Sequence, residues 1–244
     1  MTSPKRPFRV IVVGGGVGGL TAAHTLLRAN IDYVVLEKGV IALRKGASIG
    51  IYPQGSRILD QIGCLQRARE CADCPISSTQ VFGELWKTRI RGELVNVEEG
   101  LFNHMYFGRV VLAGDAIHKM TPNVGLGGNS AMESIVLLSN LLNRAIELHP
   151  DDHPDAKIVE QVLSEYQSLT KERMRKVIDF SNLATRIQAW DTPFHKNCKR
   201  NAITFLFNVP FNHNSDISPN MGSKLSHIAG WFRLSVDVNP LELL

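Results

Sequence analysis

The sequence predicts an α/β fold: a parallel sheet of the Rossmann type followed by a helical C-terminal segment. Three observations predict it. A β-branched run over residues 9–13 ends in glycines; Leu20, Ala23, Leu26 and Leu27 follow at helical spacing; a second apolar run comes at residues 33–36. Strand, helix and strand in so short a span form a βαβ unit, whose two strands must be parallel.

Each later element has its own signal. Residues 56–62 read as a short helix stopped by Gly63, and over residues 66–79 the periodicity fades. Residues 109–113 read as a third strand, ended by Gly114 and Asp115, and a Gly- and Pro-rich loop runs over 116–128. A helix is predicted over 129–148, with Ala131, Ile135, Leu138, Leu142, Ala145 and Ile146 as its apolar stripe. After a linker at 150–154, a long helix is predicted from 155 to about 190. Its core positions read as Ile158, Val162, Tyr166, Leu169, Val177, Leu183 and Ile187, with Lys171, Arg173, Arg175 and Lys176 on a solvated face. No internal repeat is visible, and the tail after Cys198 carries no pattern. Two units are expected: a ligand-binding domain over 1–150, and a helical segment with its tail over 151–244.

Composition bounds the function. With 44% hydrophobic and 20% charged residues in 244, the chain can bury a sizeable core. The 27 Lys and Arg exceed the 23 Asp and Glu by four. That balance tolerates an anionic ligand and gives no nucleic-acid signature. No apolar run approaches the ~20 residues that cross a bilayer. Four cysteines do not make a disulfide scaffold. Residues 1–7 lead directly toward a strand, so no cleaved leader is expected. The expected location is intracellular, cytoplasmic or peripheral to a membrane.

Residues 14–19, Gly-Gly-Gly-Val-Gly-Gly, satisfy G-x-G-x-x-G directly between strand and helix. Gly14 permits the tight turn, Gly16 lets backbone approach a pyrophosphate, and Gly19 lets the helix close on the strand. The helix N-terminus adds free N–H groups and a positive dipole end. Glu37 ends the second strand, where a carboxylate can accept hydrogen bonds from ribose hydroxyls.

A second constellation lies at 114–129, Gly-Asp-Ala-Ile-His-Lys-Met-Thr-Pro-Asn-Val-Gly-Leu-Gly-Gly-Asn. With the upstream glycine motif, it resembles the FAD-dependent aromatic hydroxylases, the class of p-hydroxybenzoate hydroxylase. Residues 46–51 (Gly-Ala-Ser-Ile-Gly-Ile), 57–63 (Arg-Ile-Leu-Asp-Gln-Ile-Gly) and 118–123 (His-Lys-Met-Thr-Pro-Asn) are similar to fungal FAD monooxygenases of secondary metabolism, which often epoxidise prenyl chains in meroterpenoid and indole-diterpene pathways. The resemblance implies FAD as cofactor, with NADPH or NADH as transient reductant. It implies a terpenoid or aromatic small-molecule substrate, oxygenated through a flavin hydroperoxide. It further implies that Asp115 holds the ribitol chain and that Gly50 touches the cofactor. The turn through Gly125, Gly127, Gly128 and Asn129 would place N–H groups against the flavin pyrimidine edge. Leu126, Gly128 and Ser134 depart from the family's usual residues.

The larger departure is internal. Residues 74–80 resemble the front edge of the family's middle, substrate-covering section, and 81–87 already resemble its far edge. The cofactor domain is therefore expected to be shortened near 75–82, with the substrate domain largely absent. A homodimer or partner protein is expected over the surface this uncovers, near 76–85 and on the flavin side of the sheet. Two other readings stay open: a redox-neutral cyclase or isomerase, and an inactive FAD-binding protein that needs a partner. No catalytic base is identifiable, and no metal site is expected. Cys71 and Cys74 read as coincidence, and His149 and His153 as a polar loop.

Overall fold

The first two strands, β1 (Arg9–Val13) and β2 (Asp32–Leu36), pair in parallel with Val10 opposite Tyr33 and Val13 opposite Leu36. The helix α1 (Val17–Arg28) crosses between them. This computed structural model describes residues 8–39, 49–70, 98–150, 153–189, 192 and 234–236. Asn30 ends the crossover. Its φ of 55° lies in the left-handed region, which Asn tolerates because its short side chain crowds the backbone little. Asn30 N–H donates to Leu27 O and Ile31 N–H to Leu26 O, a Schellman closure that brings Ile31 onto Leu26. The same device ends α2 (Pro53–Gln61): Gly63, at φ 81°, lets Cys64 N–H reach Leu59 O.

Three apolar clusters hold the layers. Ile51 of β3 (Ile49–Ile51), Ile58 and Leu59 of α2, and Leu65 and Ala68 of α3 (Leu65–Glu70) pack on Met132 and Val136. The latter two belong to α4 (Gly127–Glu147), which is the central helix. Its C-terminal half, Leu141, Leu142 and Ala145, packs with Leu26, Ile31, Val10, Val12 and Tyr33 in the second cluster. The long helix α5 (Ala156–Ala189) shares that cluster through Val162 and Tyr166, and forms the third from Met174 and Val177 with Leu126. Between α1 and α4 a buried hydroxyl pair, Thr25 and Ser139, meets at 2.8 Å. Truncating a clustered Leu to Ala in such a core costs about 2–5 kcal/mol.

The strands β1 and β2 alternate strictly. Val10, Val12 and Tyr33 face the helices, whereas Ile11, Val13, Val34 and Leu36 stay exposed on the opposite face. The apolar surface expected near 76–85 lies outside the described residues.

Several sequence expectations need correction. Residues 109–113 do not form a third parallel strand. Within that range β6 spans only Val110–Val111, and it makes an antiparallel hairpin with β5 (Tyr106–Phe107) around Gly108, at φ 55°. A glycine in that conformation suits a two-residue hairpin turn, so the chain reverses locally. Val111 nonetheless packs against the second cluster, as Val10 and Val12 do. The helix α3 interrupts a stretch that shows no clear period. Two further pairs, β4 (Gly100–Leu101) with β7 (His118–Lys119) and β3 with β8 (Leu234–Val236), are antiparallel. The latter uses residues of the patternless tail.

The stripe of α5 is also shifted. Leu169 and Leu183 are exposed, and the buried line runs Val159, Val162, Leu163, Tyr166, Thr170, Met174, Val177, Ser181, Ala184 and Ile187. Two hydroxyl residues stand where an apolar stripe would place leucines. Burial pushes the Tyr166 hydroxyl up to about 12, so it stays neutral and donates to Leu112 O at 3.3 Å. Arg173 leaves the expected solvated face to pair with Glu133 of α4.

Candidate functional site

The glycine turn folds as the motif dictates. Gly14 sits at φ 105°, where an L side chain would be strained, and its N–H donates to Leu36 O at 2.7 Å. A Cβ on Gly19 would lie 1.8 Å from Gly14 O, so the helix can approach the strand only with glycine there. Around Gly14 and Gly16 the space is open: a Cβ on either meets nothing within 4 Å. Helix α1 starts with no capping side chain and no acidic residue in its first turn, which leaves its first N–H groups directed at that space.

Glu37 closes the turn from β2. Its Oε2 accepts from Gly15 N–H at 2.7 Å and its Oε1 from Gly39 N–H at 2.9 Å. These bonds, Gly15 foremost, hold its carboxyl below the usual range. Each oxygen keeps a lone pair for a further donor.

The second constellation reaches the same place through α4. A Cβ on Gly114, at φ 61°, would stand 3.3 Å from the Ala131 methyl, and one on Gly18 would stand 4.0 Å from the same methyl. Ala131 is thus the point where α1, α4 and the turn of residues 114–116 meet. Asp115 lies exposed on that turn. His118, in contrast, is completely buried, and neither ring nitrogen finds a hydrogen-bond partner among the described residues. Burial pushes its pKa down against the opposing charge of Asp115, so the ring is held neutral.

Gly125 turns the chain into α4 at φ 63°. Gly127 and Gly50 both face open space, whereas a Cβ on Gly128 would touch Ile49. Helix α4, like α1, has neither capping side chain nor acidic first turn. Asn129 also has a structural role, through its side chain. It is fully buried, donating through Nδ2 to Gly50 O at 2.8 Å and Gly125 O at 3.1 Å, while its Oδ1 accepts from Tyr52 N–H at 3.0 Å. Both amide protons are spent on backbone, so this side chain holds the site together.

Sequence reading missed the supporting residues. Tyr52 donates its hydroxyl to Val124 O at 2.7 Å. A Cβ on Gly55 would fall 2.3 Å from Asn129 Oδ1, so α2 can lie against α4 only with glycine there. The sequence reading starts this helix one residue after Gly55, whereas the structure places Gly55 inside it. Glu133 and Arg173 form a partly buried ion pair; burial pushes the Glu133 carboxyl up, with Arg173 opposing. His149 donates through Nδ1 to Ala145 O at 2.8 Å and His153 lies against Phe8, so the two are not joined at one centre. Cys71 and Cys74 lie outside the described residues.

Two open glycine cradles, a carboxylate on the first turn and a second exposed carboxylate suit a long, anionic, hydroxyl-bearing dinucleotide. The FAD binding domain family matches residues 8–92 and 88–181. The chain belongs to that family. As an FAD-binding-domain protein, it is 44% identical over 120 residues to the FAD-dependent monooxygenase DEP2 of Alternaria brassicicola, covering 49% of this chain and 23% of that one. It is 32% identical over 175 residues to the FAD-dependent monooxygenase ptmM of Penicillium ochrochloron, covering 71% and 39%. The chain thus spans 23% to 39% of these relatives' length. The crystal structure of Klebsiella pneumoniae HpxO, complexed with FAD and uric acid, superposes with a TM-score of 0.53 at 14% identity, covering 82% of this chain and 95% of that one. Such low identity establishes a shared fold.

Proposed function

We propose that this chain is an FAD-holding monooxygenase protein of fungal secondary metabolism, acting on a prenylated, terpenoid or aromatic small molecule. One observation carries the reading: both motifs converge on Ala131 while Gly16, Gly50 and Gly127 face unfilled space. Glu37 takes the adenosine ribose hydroxyls, and Gly14, Gly16 and Gly19 with the start of α1 take the pyrophosphate. Asp115 accepts from the ribitol hydroxyls. The N–H groups following Gly125, through Gly127, Gly128 and Asn129, stabilise negative charge at the pyrimidine edge. Bound FAD, reduced by NADPH or NADH, supplies the oxygen chemistry; the chain binds, orients and charges the site.

Titration of purified protein with FAD tests the reading. Micromolar binding needs about −8 kcal/mol, and charge-assisted hydrogen bonds of ~1.5–3 kcal/mol each reach it after ordering costs. Saturable binding weakened by Gly16→Val or Glu37→Ala is expected; no binding at about 100 μM FAD, well above that micromolar scale, would overturn it.

A second reading rests on the exposed face of Ile11, Val13, Val34 and Leu36. An open site wastes reduced flavin because water enters. On this reading a homodimer or partner covers that face, and the lone chain makes hydrogen peroxide without product. Supplying a prenylated substrate with and without NADPH and O₂, then weighing products, separates the cases. Gain of one oxygen atom by the isolated chain favours the first reading. Product without mass change or NADPH indicates a cyclase or isomerase.

A further inference from the structure

The loop that precedes the second glycine turn is fastened to α5 by a buried set of hydroxyls. Thr121 Oγ1 lies 2.8 Å from Ser181 Oγ and 2.6 Å from Thr185 Oγ1. Thr185 Oγ1 donates to Ser181 O at 2.9 Å, within its own helix. Each hydroxyl has one proton, so with that of Thr185 spent, Thr121 donates to Thr185 Oγ1 and Ser181 donates back to Thr121. One turn further along α5, Asn123 Nδ2 donates to Gln188 Oε1 at 2.6 Å. One to two turns earlier, Leu126 packs on Met174 and Val177. The loop therefore docks along one face of α5, at 174, 177, 181, 185 and 188.

Ser181 is wholly buried and Thr121 nearly so. An apolar pair would fill the same volume without losing hydration, so stability alone does not call for hydroxyls there. A closed set of short hydrogen bonds does what an apolar contact cannot: it admits one register of loop on helix. What that register sets is the position of Gly125 and of the first N–H groups of α4, four to seven residues downstream. Those groups stabilise charge only if held to within a few tenths of an ångström.

We infer that Thr121 is a positioning residue for the flavin end of the site, acting through Ser181 and Thr185. The inference rests on the FAD reading above. It is tested with Thr121→Val, which keeps shape and removes the donor, against Thr121→Ser, which restores it. Thr185→Val, at a partly exposed position, serves should the first variant fail to fold. In the FAD-free protein, Thr121→Val should speed amide exchange in residues 120–128 and leave α1 unchanged. With FAD, it should weaken binding about tenfold and alter the visible bands of the bound flavin, while Thr121→Ser stays within about twofold. Unchanged affinity and spectrum in both valine variants, with wild type binding FAD, would overturn the inference alone. Exchange rising equally in α1 would reduce Thr121 to a general stabiliser and overturn it too. Failure of the wild type to bind FAD would overturn the reading beneath it, and the inference with it.

Discussion

A few glycines differ in what they forbid, and this separates stability from ligand binding at the scale of single residues. Gly19→Ala drives a methyl into Gly14 O and is expected to cost at least the ~1–3 kcal/mol of an overpacked site, read as a lower urea midpoint. Gly16→Ala adds its methyl to open space at an ordinary backbone φ of −78°, so stability should hold within about 0.5 kcal/mol while FAD affinity falls. His118 gives a pH signature. Its folded pKa is depressed, so its burial carries no protonation-linked cost above about pH 6.5, the value of the unfolded side chain. As pH falls below that, the unfolded chain takes a proton that the folded chain refuses, and stability drops. Melting temperature followed from about pH 7.5 to 5 should show this loss, and His118→Leu should flatten it. Glycine roles were legible because a motif constrains backbone. The role of Asn129 was not: an amide after a glycine turn reads the same in sequence whether it faces a ligand or turns inward.

Helices show the same boundary between what pattern reveals and what packing decides. The spans of α1, α4 and α5 follow from periodicity and end signals, whereas the buried line of α5 does not. Leu169 and Leu183 attract a hydrophobicity reading, yet Thr170 and Ser181 lie in the buried line, where the Ser181 hydroxyl pairs with Thr121. Arg173 reads as solvent-facing until Glu133 appears across the helix pair. Arg173→Ala should destabilise by somewhat less than the ~3–5 kcal/mol of a fully buried pair, since Arg173 itself is 42% exposed. Adding Glu133→Gln should recover part of that loss, because burial already penalises the charged carboxylate. A double-mutant cycle in urea checks both. Ala131→Leu tests assembly instead: its larger side chain must push Gly18 and Gly114 apart, so FAD affinity should fall by more than the modest loss of stability implies.

For the whole molecule, the sequence pattern identifies the βαβ start and the cofactor motifs, because both are local. The pairing of β3 with β8 depends on contacts distant in the chain, which no local period encodes, and the strands of the β5–β6 hairpin, two residues each, are too short to show a period. The exposed side of β1 and β2 is likewise a property of what covers it. Ile11→Thr with Val34→Thr should leave stability within about 0.5 kcal/mol, yet lower association in light scattering, if a second copy or partner uses that face. Length carries meaning as well. From Tyr166 in the sheet cluster to Ser181 at the loop, α5 rises about 22 Å at ~1.5 Å per residue. A helix is also a screw, and each residue inserted between those anchors turns everything beyond it by about 100° and advances it ~1.5 Å. A single alanine inserted near Lys176 would leave composition, charge and helicity almost intact, yet swing Ser181 and Thr185 a quarter-turn away from Thr121. The distance and angle between sheet and cofactor loop are thus stored as a residue count, a phase that substitutions barely touch and one insertion erases.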